Sequence, residues 1–293
     1  MIISNIKGGL GNQMFEYAAG YSLAKDKGAE FKIDLGHFKN QDRFKNETHR
    51  DFQLDFFNVP YKLATEEEVV AVKKRYSGGF LPLLKLDSYL TMFNITKYPL
   101  LKNFSSDIYL DGYFQNEKYF IKYAKDIREM FSLKKEYITN DFEKMCEKIA
   151  ENFDESISIH IRRGDYVTNE QANKWHGLLS KDYYYNALDY IKKETGIRKL
   201  YIYVFSDDSV WVKENLPLEG DVTYVSDSFN PAQSIILMSK CKNNIIANSS
   251  FSWWGGWLNT NEEKTVIAPD KWLAGSKRHS RNIVPKSWIR CAS

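Results

Sequence analysis

The feature that most constrains the fold is the regular alternation of strand-like and helix-like segments in the second half of the chain. Runs rich in β-branched and aromatic residues, among them SISIHI (156–161) and LYIYVFS (200–206), are separated by helical patterns such as KDYYYNALDYIKKETG (181–196). Strands that alternate with helices predict a parallel sheet with right-handed crossover connections. The first 35 residues show the same order once: the strand IISNIK, a glycine loop, a helix from about Asn12 to Lys27, and the strand EFKIDL.

The length of the chain indicates two domains. It has 293 residues, of which 43% are hydrophobic, and this is enough apolar material for two cores. We place the boundary near residue 150, which predicts an N-terminal α/β domain over 1–150 and a C-terminal α/β domain over 151–293, both Rossmann-like. If the two domains face each other, the carboxyl edges of their strands line one cleft. Residues 36–106 match no motif, apart from a helix start at TEEE with a capping box of Thr65 and Glu68.

Charge, hydropathy and cysteine content narrow the class of protein. A net charge of +3 gives no argument for nucleic-acid binding, so a local cluster must bind any anion. No apolar run approaches the roughly 20 residues that cross a bilayer, and the strand-like start lacks the pattern of a secretory signal. Cys146, Cys241 and Cys291 lack metal-ligand spacing and are typical of free thiols in a reducing compartment. We expect a cytoplasmic protein without a transmembrane segment, either freely diffusing or peripheral to the inner membrane.

Four loops with unusual residues follow predicted strands: GGLGNQ, HIRRGDY, FSDDS and NSSFSWWGG. All four are predicted to lie at the carboxyl edges of strands, where open α/β sheets bind their ligands. In HIRRGDY, a pair of guanidinium groups suits a phosphate or carboxylate, which it binds in a forked, charge-assisted way. The alternative is a salt bridge from Arg162 or Arg163 to Asp165.

The glycine loop allows several interpretations. Gly9 and Gly11 precede a helix whose first amides can face an anion, and Asp34 ends the next strand at the distance of a dinucleotide-binding fingerprint. A nucleotide-dependent oxidoreductase is therefore one alternative. Met14 stands where that fingerprint has a third small residue. The glycines can also serve only a tight turn.

The other two loops carry capping signals beside possible ligand contacts. Asp207 or Asp208 can cap the following helix, while the other can accept both donors of a guanine edge; a metal-bound pair is the competing use. Ser249 and Ser250 can cap a helix whose first amides face a phosphate. The tryptophans of this helix, especially Trp257, are predicted to be core residues rather than a sugar platform.

Taken together, GGLGNQMF, HIRRGDY, FSDD and NSSFSWWGGWL resemble, in order and over most of the chain, the bacterial α-1,2-fucosyltransferases of glycosyltransferase family 11. The resemblance implies a metal-independent, inverting transfer of L-fucose from GDP-fucose, with no cofactor required, on a two-domain fold of the GT-B type. It also implies an acceptor, a β-galactoside oligosaccharide, on the N-terminal side, with GDP-fucose bound by the C-terminal domain.

The resemblance implies roles for individual residues. Arg162 would hold the donor pyrophosphate, His160 and an aspartate of FSDD would meet the nucleoside, and Asn12 would lie near the fucose. Around the phosphates it places the residues Ser249, Ser250 and Phe251. Glu16 stands where a glutamine is expected after GGLGNQMF, and this change on the helix puts little in doubt.

The chemistry requires a cation and a base. Breaking a sugar–diphosphate bond leaves negative charge on the phosphate, and Arg162 can neutralise it in place of a metal. The attacking hydroxyl must lose its proton, for which the loop after the arginines offers Asp165, Glu170 and His176. The resemblance to other fucosyltransferases favours Glu170, although a solvated loop carboxylate is the plain alternative. A glycan-binding protein without enzyme activity is the third class, and it gives no reason for paired arginines.

Overall fold

The computed structural model describes residues 1–39, 49–77, 107–164, 167, 177–273 and 282–293. It forms two compact units, Met1–Ser132 and Leu133–Ser293. The division therefore lies before the boundary that the sequence placed near residue 150. The reason is that the segment after Ser132 packs on the second unit: Gln233 Nε2 donates to the Tyr137 carbonyl at 2.8 Å, and the Tyr203 hydroxyl donates to the Lys148 carbonyl at 2.9 Å.

The first unit is built on a parallel sheet with strand order β2-β1-β3. Its elements in the described residues are β1 (Ile2–Asn5), α1 (Leu10–Lys27), β2 (Phe31–Asp34), α2 (Gly36–Lys39), α3 (Glu66–Ser77), β3 (Ile108–Leu110) and α4 (Ala124–Met130). Short 3₁₀ turns occur at Leu54–Phe56, Glu117–Tyr119 and Ile121–Tyr123. Asn5 pairs with Asp34, so both residues lie at the carboxyl edge of the sheet.

Local signals explain the ends of the helices in this unit. Helix α1 starts at Leu10, earlier than the predicted Asn12, because Gly9 is extended and its carbonyl accepts the first helical bonds. The predicted capping box of α3 is confirmed: Thr65 N–H donates to Glu68 at 2.9 Å, and Glu68 N–H donates to Thr65 at 3.2 Å. The periodicity of NEKYFIKYAKDIREMF (116–131) predicts one helix, but this is wrong, because Phe120, buried with φ −142° and ψ −2°, separates the 3₁₀ turns that precede α4.

The second unit is built on a fully parallel sheet with strand order β6-β5-β4-β7-β8-β9. Its strands are β4 (Ser156–Ile161), β5 (Tyr201–Ser206), β6 (Asp221–Tyr224), β7 (Asn243–Ile245), β8 (Val266–Pro269) and β9 (Ile289–Cys291). Its helices are α5 (Asn140–Glu151), α6 (Lys181–Thr195), α7 (Ser209–Asn215), α8 (Pro231–Lys240) and α9 (Ser250–Leu258). The predicted α/β class with parallel sheets is confirmed.

The strand order of the second unit fixes where a ligand can bind. The chain winds outward from β4 to β5 and β6 on one side, then crosses back to add β7, β8 and β9 on the other. The switch point therefore lies between β4 and β7, and in open α/β sheets the binding crevice forms outside the carboxyl ends of the strands at such a point. All six residues of β4 are buried, so this strand forms the buried centre of the sheet. Within the described residues, no helix is both long enough and apolar enough to span a membrane.

Candidate active site

Two of the four predicted loops meet at the switch point of the second unit. His160 is the penultimate residue of β4, and Ser249 is the N-cap of α9, which follows β7. The rings of His160 and Phe251 lie 5.4 Å apart between centroids. The structure therefore brings HIRRGDY and NSSFSWWGG together, as expected for loops at one sheet edge.

The arginine pair is held by the aspartates of FSDD. Arg162 Nη1 lies 2.8 Å from Asp207 Oδ2, and the backbone N–H of Arg163 donates to Asp207 Oδ1 at 2.8 Å. Arg163 Nε donates to Asp208 Oδ2 at 3.2 Å, and its guanidinium lies 3.5 Å over the Trp211 ring. Arg163 is thus fixed on both sides, by Asp208 and by the Trp211 ring. Arg162 keeps 23% of its side chain exposed and is the better placed of the two to bind an anion.

Asp207 and Asp208 have different tasks. Asp208 is the N-cap of α7, where its side chain accepts from Trp211 N–H at 3.2 Å, so the prediction that one of the pair caps the helix is confirmed. Both oxygens of Asp207 contact the arginine segment, and its contact with guanine stays a prediction. The alternative partner of the arginines, Asp165, lies outside the described residues.

Gly164 shows why a residue without a side chain follows the arginines. A Cβ at this position would lie 2.5 Å from Asp207 Oδ2, the oxygen that binds Arg162. Any larger residue would push Asp207 away from Arg162. The glycine is visible in the sequence as the last residue of RRG, but its contact with Asp207 depends on the pairing of β4 with β5.

His160 is a buried, neutral base near the carboxyl end of β4. Only 4% of its surface is exposed. Burial, with help from the positive charge of Arg162 and against the charge of Asp207, lowers the pKa of His160 to about 3. Its Nδ1 atom is buried and has no hydrogen-bond partner among the described residues. A buried polar atom of this kind is costly unless a ligand or water completes it.

The N-terminus of α9 supplies backbone donors beside His160. Ser249 caps the helix by accepting from Phe251 N–H at 3.3 Å, and both Ser249 and Ser250 are partly exposed. The first turn of a helix favours negative charge, so this end can contact a phosphate. The tryptophans of α9 are core residues, as predicted, since Trp253, Trp254 and Trp257 are at most 3% exposed.

In the first unit, the glycine loop is shaped by side chains of its own helix. Gly8 has φ +71°, and a Cβ there would lie 3.0 Å from Asn12 Nδ2. Gln13 Nε2 donates to the carbonyls of Gly8 and Asp51, each at 2.8 Å. Gly8, which sequence reasoning did not single out, is therefore the glycine whose backbone conformation the turn requires.

The two predicted glycines and Asn12 occupy the start of α1. Gly9 is the N-cap, and a Cβ there would meet no atom of the described chain within 4 Å. Gly11 is buried in the first turn. Asn12 is half-buried, and its side-chain oxygen accepts from Gln115 Nε2 at 2.8 Å. Their contacts with the donor stay predictions.

Glu16 matters more than the sequence indicated. It is completely buried, its Oε2 accepts from Lys7 N–H at 2.8 Å, and Oε1 has no partner among the described residues. Burial raises the pKa of Glu16 well above its ordinary value. The side chain holds the backbone just before the glycine loop, and the raised pKa favours its protonated form.

The three candidates for the general base, Asp165, Glu170 and His176, are not among the residues that the structure describes. In the part of the chain that the structure describes, no three His, Cys, Asp or Glu side chains are grouped as metal ligands. Metal independence stays a prediction.

Comparison with known proteins identifies the family. Residues 1–292 match the model of glycosyl transferase family 11. The O-antigen biosynthesis glycosyltransferase WbnK of Escherichia coli is 36% identical over 305 aligned residues, covering 98% of this chain and 99% of that protein. An alpha-1,2-colitosyltransferase of Escherichia coli is 33% identical over 299 residues, covering 99% and 98%. The fucosyltransferase NodZ from Bradyrhizobium has a similar fold, with a TM-score of 0.50, 14% identity, and coverage of 87% of this chain and 92% of that one. The match over nearly the whole sequence shows that the chain belongs to glycosyl transferase family 11.

Proposed function

We propose that the protein transfers L-fucose, with inversion, from GDP-fucose to the 2-hydroxyl of a terminal β-galactoside in a glycan. The observation that carries the proposal is the Arg162 guanidinium, fixed by Asp207 just after β4, the strand at the switch point whose His160 ring lies 5.4 Å from Phe251 in the first turn of α9. Two sources of positive potential converge there, one a full charge and the other a helix end. This is the arrangement that a leaving diphosphate needs.

The reaction balances with groups of this chain. The bond between the anomeric carbon and the β-phosphate oxygen breaks, and its electron pair stays on GDP, where Arg162 stabilises the developing charge. The acceptor oxygen forms the new bond from the opposite face of the sugar, and its proton passes to a base in the loop after the arginines. Glu170 is the proposed base, with His176 in reserve. Because Arg162 supplies the cation, the enzyme is expected to keep its activity in excess EDTA.

The remaining roles follow the same division of labour. The second unit would bind GDP-fucose, with the buried Nδ1 atom of His160 completed by the nucleoside and Ser249, Ser250 and Phe251 bordering the phosphates. The first unit would serve the acceptor side, with Asn12 near the fucose. We also propose that the fold is of the GT-B type, with two domains and a cleft. The cysteines are free thiols, which favours action in the cytoplasm; they are Cys146, Cys241 and Cys291. Within the cytoplasm, the protein would either diffuse freely or bind peripherally to the inner membrane.

A second donor is favoured by one specific observation. The colitosyltransferase relative matches 99% of this chain at 33% identity. Colitose is fucose without its 3-hydroxyl, so the two donors differ by one polar group. A site that hydrogen-bonds the 3-hydroxyl rejects the deoxy sugar by about 10⁴-fold or more, whereas an apolar pocket discriminates only weakly between the two sugars.

The test is turnover of GDP-fucose and GDP-colitose with a panel of β-galactosides, followed by linkage analysis of the products. We expect a higher kcat/KM for GDP-fucose and a product linked to the 2-hydroxyl of galactose. A higher kcat/KM for GDP-colitose would show that the donor is GDP-colitose, while the proposed type of reaction would stand. Absence of turnover with both donors, in a folded protein that does not bind GDP, would overturn the proposal.

A further inference from the structure

A cavity of about 620 Å³ lies within the first unit and is lined by residues outside the four motif loops. It opens at the carboxyl ends of β1 and β2, where Asn5 and Asp34 form its floor together with Tyr109 of β3. One wall is a single face of α3, because Glu66, Val69, Val70 and Lys73 are spaced by three or four residues. We call this cavity the α3 pocket. Its volume falls in the range of about 300 to 1,000 Å³ that is typical of small-molecule sites.

The floor of the α3 pocket holds a carboxylate in a fixed orientation. Asp34 Oδ1 accepts from Gly36 N–H at 2.8 Å, and Oδ2 accepts from the Tyr109 hydroxyl at 2.7 Å. Burial, and then the bond to Asp34, raise the pKa of Tyr109, so its hydroxyl remains a donor. A carboxylate has about four acceptor positions. These two bonds leave room on Asp34 for the hydroxyl groups of a ligand.

Two lysines, Lys39 and Lys73, and an apolar surface complete the α3 pocket. Lys73 Nζ lies 4.1 Å over the Tyr109 ring and 4.0 Å from Asp34 Oδ2. Leu63 and Val70, which also line the pocket, are 56% and 47% exposed, an unusual degree for such large apolar side chains. An apolar wall facing a small set of oriented polar groups matches a sugar ring, which has a C–H face and a rim of hydroxyls.

Other ligand classes fit less well. The lining carries two carboxylates, Asp34 and Glu66, and two lysines, Lys39 and Lys73, so the pocket offers no net positive charge to a phosphate or an acidic sugar. A dinucleotide would place its ribose on Asp34, but Met14 is fully buried at the position where that fingerprint has a third small residue. A neutral sugar with neighbouring hydroxyls is the chemistry that remains.

We infer that the α3 pocket binds a neutral, non-reacting sugar residue of the acceptor glycan, with Asp34 accepting from its hydroxyls. The inference rests on the proposed function for the identity of the ligand as an acceptor. It goes beyond that proposal by assigning a binding site, and hence acceptor selectivity, to residues outside the motif loops.

The test separates binding from turnover. Saturation-transfer difference NMR without donor would measure binding of N-acetyllactosamine, methyl β-galactoside and NAD to the full-length wild-type protein. The same probes would be applied to Asp34→Asn and to Val70→Arg, which alters an exposed side chain and leaves the core intact. Asp55→Asn is the matched control, since Asp55 accepts from the Tyr61 hydroxyl at 2.6 Å in an equivalent pair outside the pocket.

We expect N-acetyllactosamine to lose at least about tenfold in affinity with Asp34→Asn, because a hydrogen bond to a charged group is lost. Val70→Arg should weaken it as well, and Asp55→Asn should behave as wild type. In turnover assays the KM for N-acetyllactosamine should rise by the same factor, while kcat, the KM for methyl β-galactoside and the Kd of GDP remain unchanged. Disaccharide binding through the pocket without turnover of GDP-fucose would support the pocket and count against the proposed function. Unchanged disaccharide affinity in both pocket variants, no disaccharide binding by the wild type, or NAD binding that Asp34→Asn abolishes would overturn the inference.

Discussion

Replacing Asp207 by asparagine tests whether this carboxylate positions Arg162 or reads the guanine base. One oxygen of Asp207 binds Arg162 Nη1 and the other accepts from Arg163 N–H, both at 2.8 Å. An amide keeps one acceptor and turns the other into a donor. One of these two contacts must therefore become a repulsive pairing of two donors.

The size of the effect follows from the geometry. A hydrogen bond to a charged group contributes about 1.5 to 3 kcal/mol, equivalent to roughly 10- to 150-fold in affinity. The side chains of Arg162 and Asp207 are 23% and 26% exposed, so solvent screens part of the interaction and the lower end applies. We expect Asp207→Asn to weaken GDP binding about tenfold and to lower kcat/KM by at least that factor.

Calorimetric titration with GDP and IDP distinguishes the two roles, because IDP lacks the 2-amino group of guanine. If Asp207 acts through Arg162, both nucleotides lose affinity equally; if it reads the base, the preference for GDP over IDP disappears. Asp227→Asn, at an exposed site in the same unit, is the control. Unchanged GDP affinity in a folded Asp207→Asn protein would refute the reasoning about positioning.

Three further predictions concern the arginine, the base and the buried acid. Arg162→Lys should lose most of its turnover, because the point charge of lysine cannot replace the forked guanidinium that binds a diphosphate. The control Arg198→Lys, at an exposed site, should keep its turnover. Near wild-type turnover of Arg162→Lys would rule out the phosphate role of Arg162. Glu170→Gln should lower kcat by about 10² or more with little change in the Kd of GDP, and an unimpaired enzyme would shift the role to His176 or Asp165. Because burial raises the pKa of Glu16, the folded protein keeps a proton that the unfolded chain releases above its ordinary pKa of 4.5, and stability falls as pH rises through that window. Glu16→Gln should remove this contribution of up to about 1.4 kcal/mol per pH unit. In urea denaturation, the free energy of unfolding of Glu16→Gln relative to wild type should therefore increase from pH 5 to pH 7. A difference that stays constant with pH, or the same increase in the exposed control Glu129→Gln, would contradict the burial argument.

Elements with strong local signals could be predicted from the sequence. The capping box at Thr65, the buried β-branched run of β4 and the left-handed Gly196 after α6 each depend on neighbouring residues only. Strands β3 and β9 were not predicted, because each has three residues, too few to show a period; β7 is equally short, but the run NNIIA around it indicates a strand. The break at Phe120 could not be predicted, because a buried phenylalanine fits the helical pattern as well as it fits the turn that the structure shows.

The α3 pocket could not have been found from motifs. Asp34 was noticed only as part of a dinucleotide fingerprint, and residues 36–106 matched nothing. The pocket requires the parallel pairing of β1 with β2 and with β3, and the helix over 66–77 beside it. These are long-range contacts, which a single sequence does not specify.

The arginine site shows most clearly where local reasoning ends. The sequence suggested Asp165 as the partner of the arginines, since it is nearby in the chain. In the structure, β4 and β5 pair with His160 opposite Phe205 and Ile161 opposite Ser206. Continuing this register by two residues brings the pair after β4, Arg162 and Arg163, opposite the pair after β5, which is the DD of FSDD. A slip of one residue would break both ion pairs and turn every side chain of the buried strand to the other face, so packing of the core sets the geometry of the anion site.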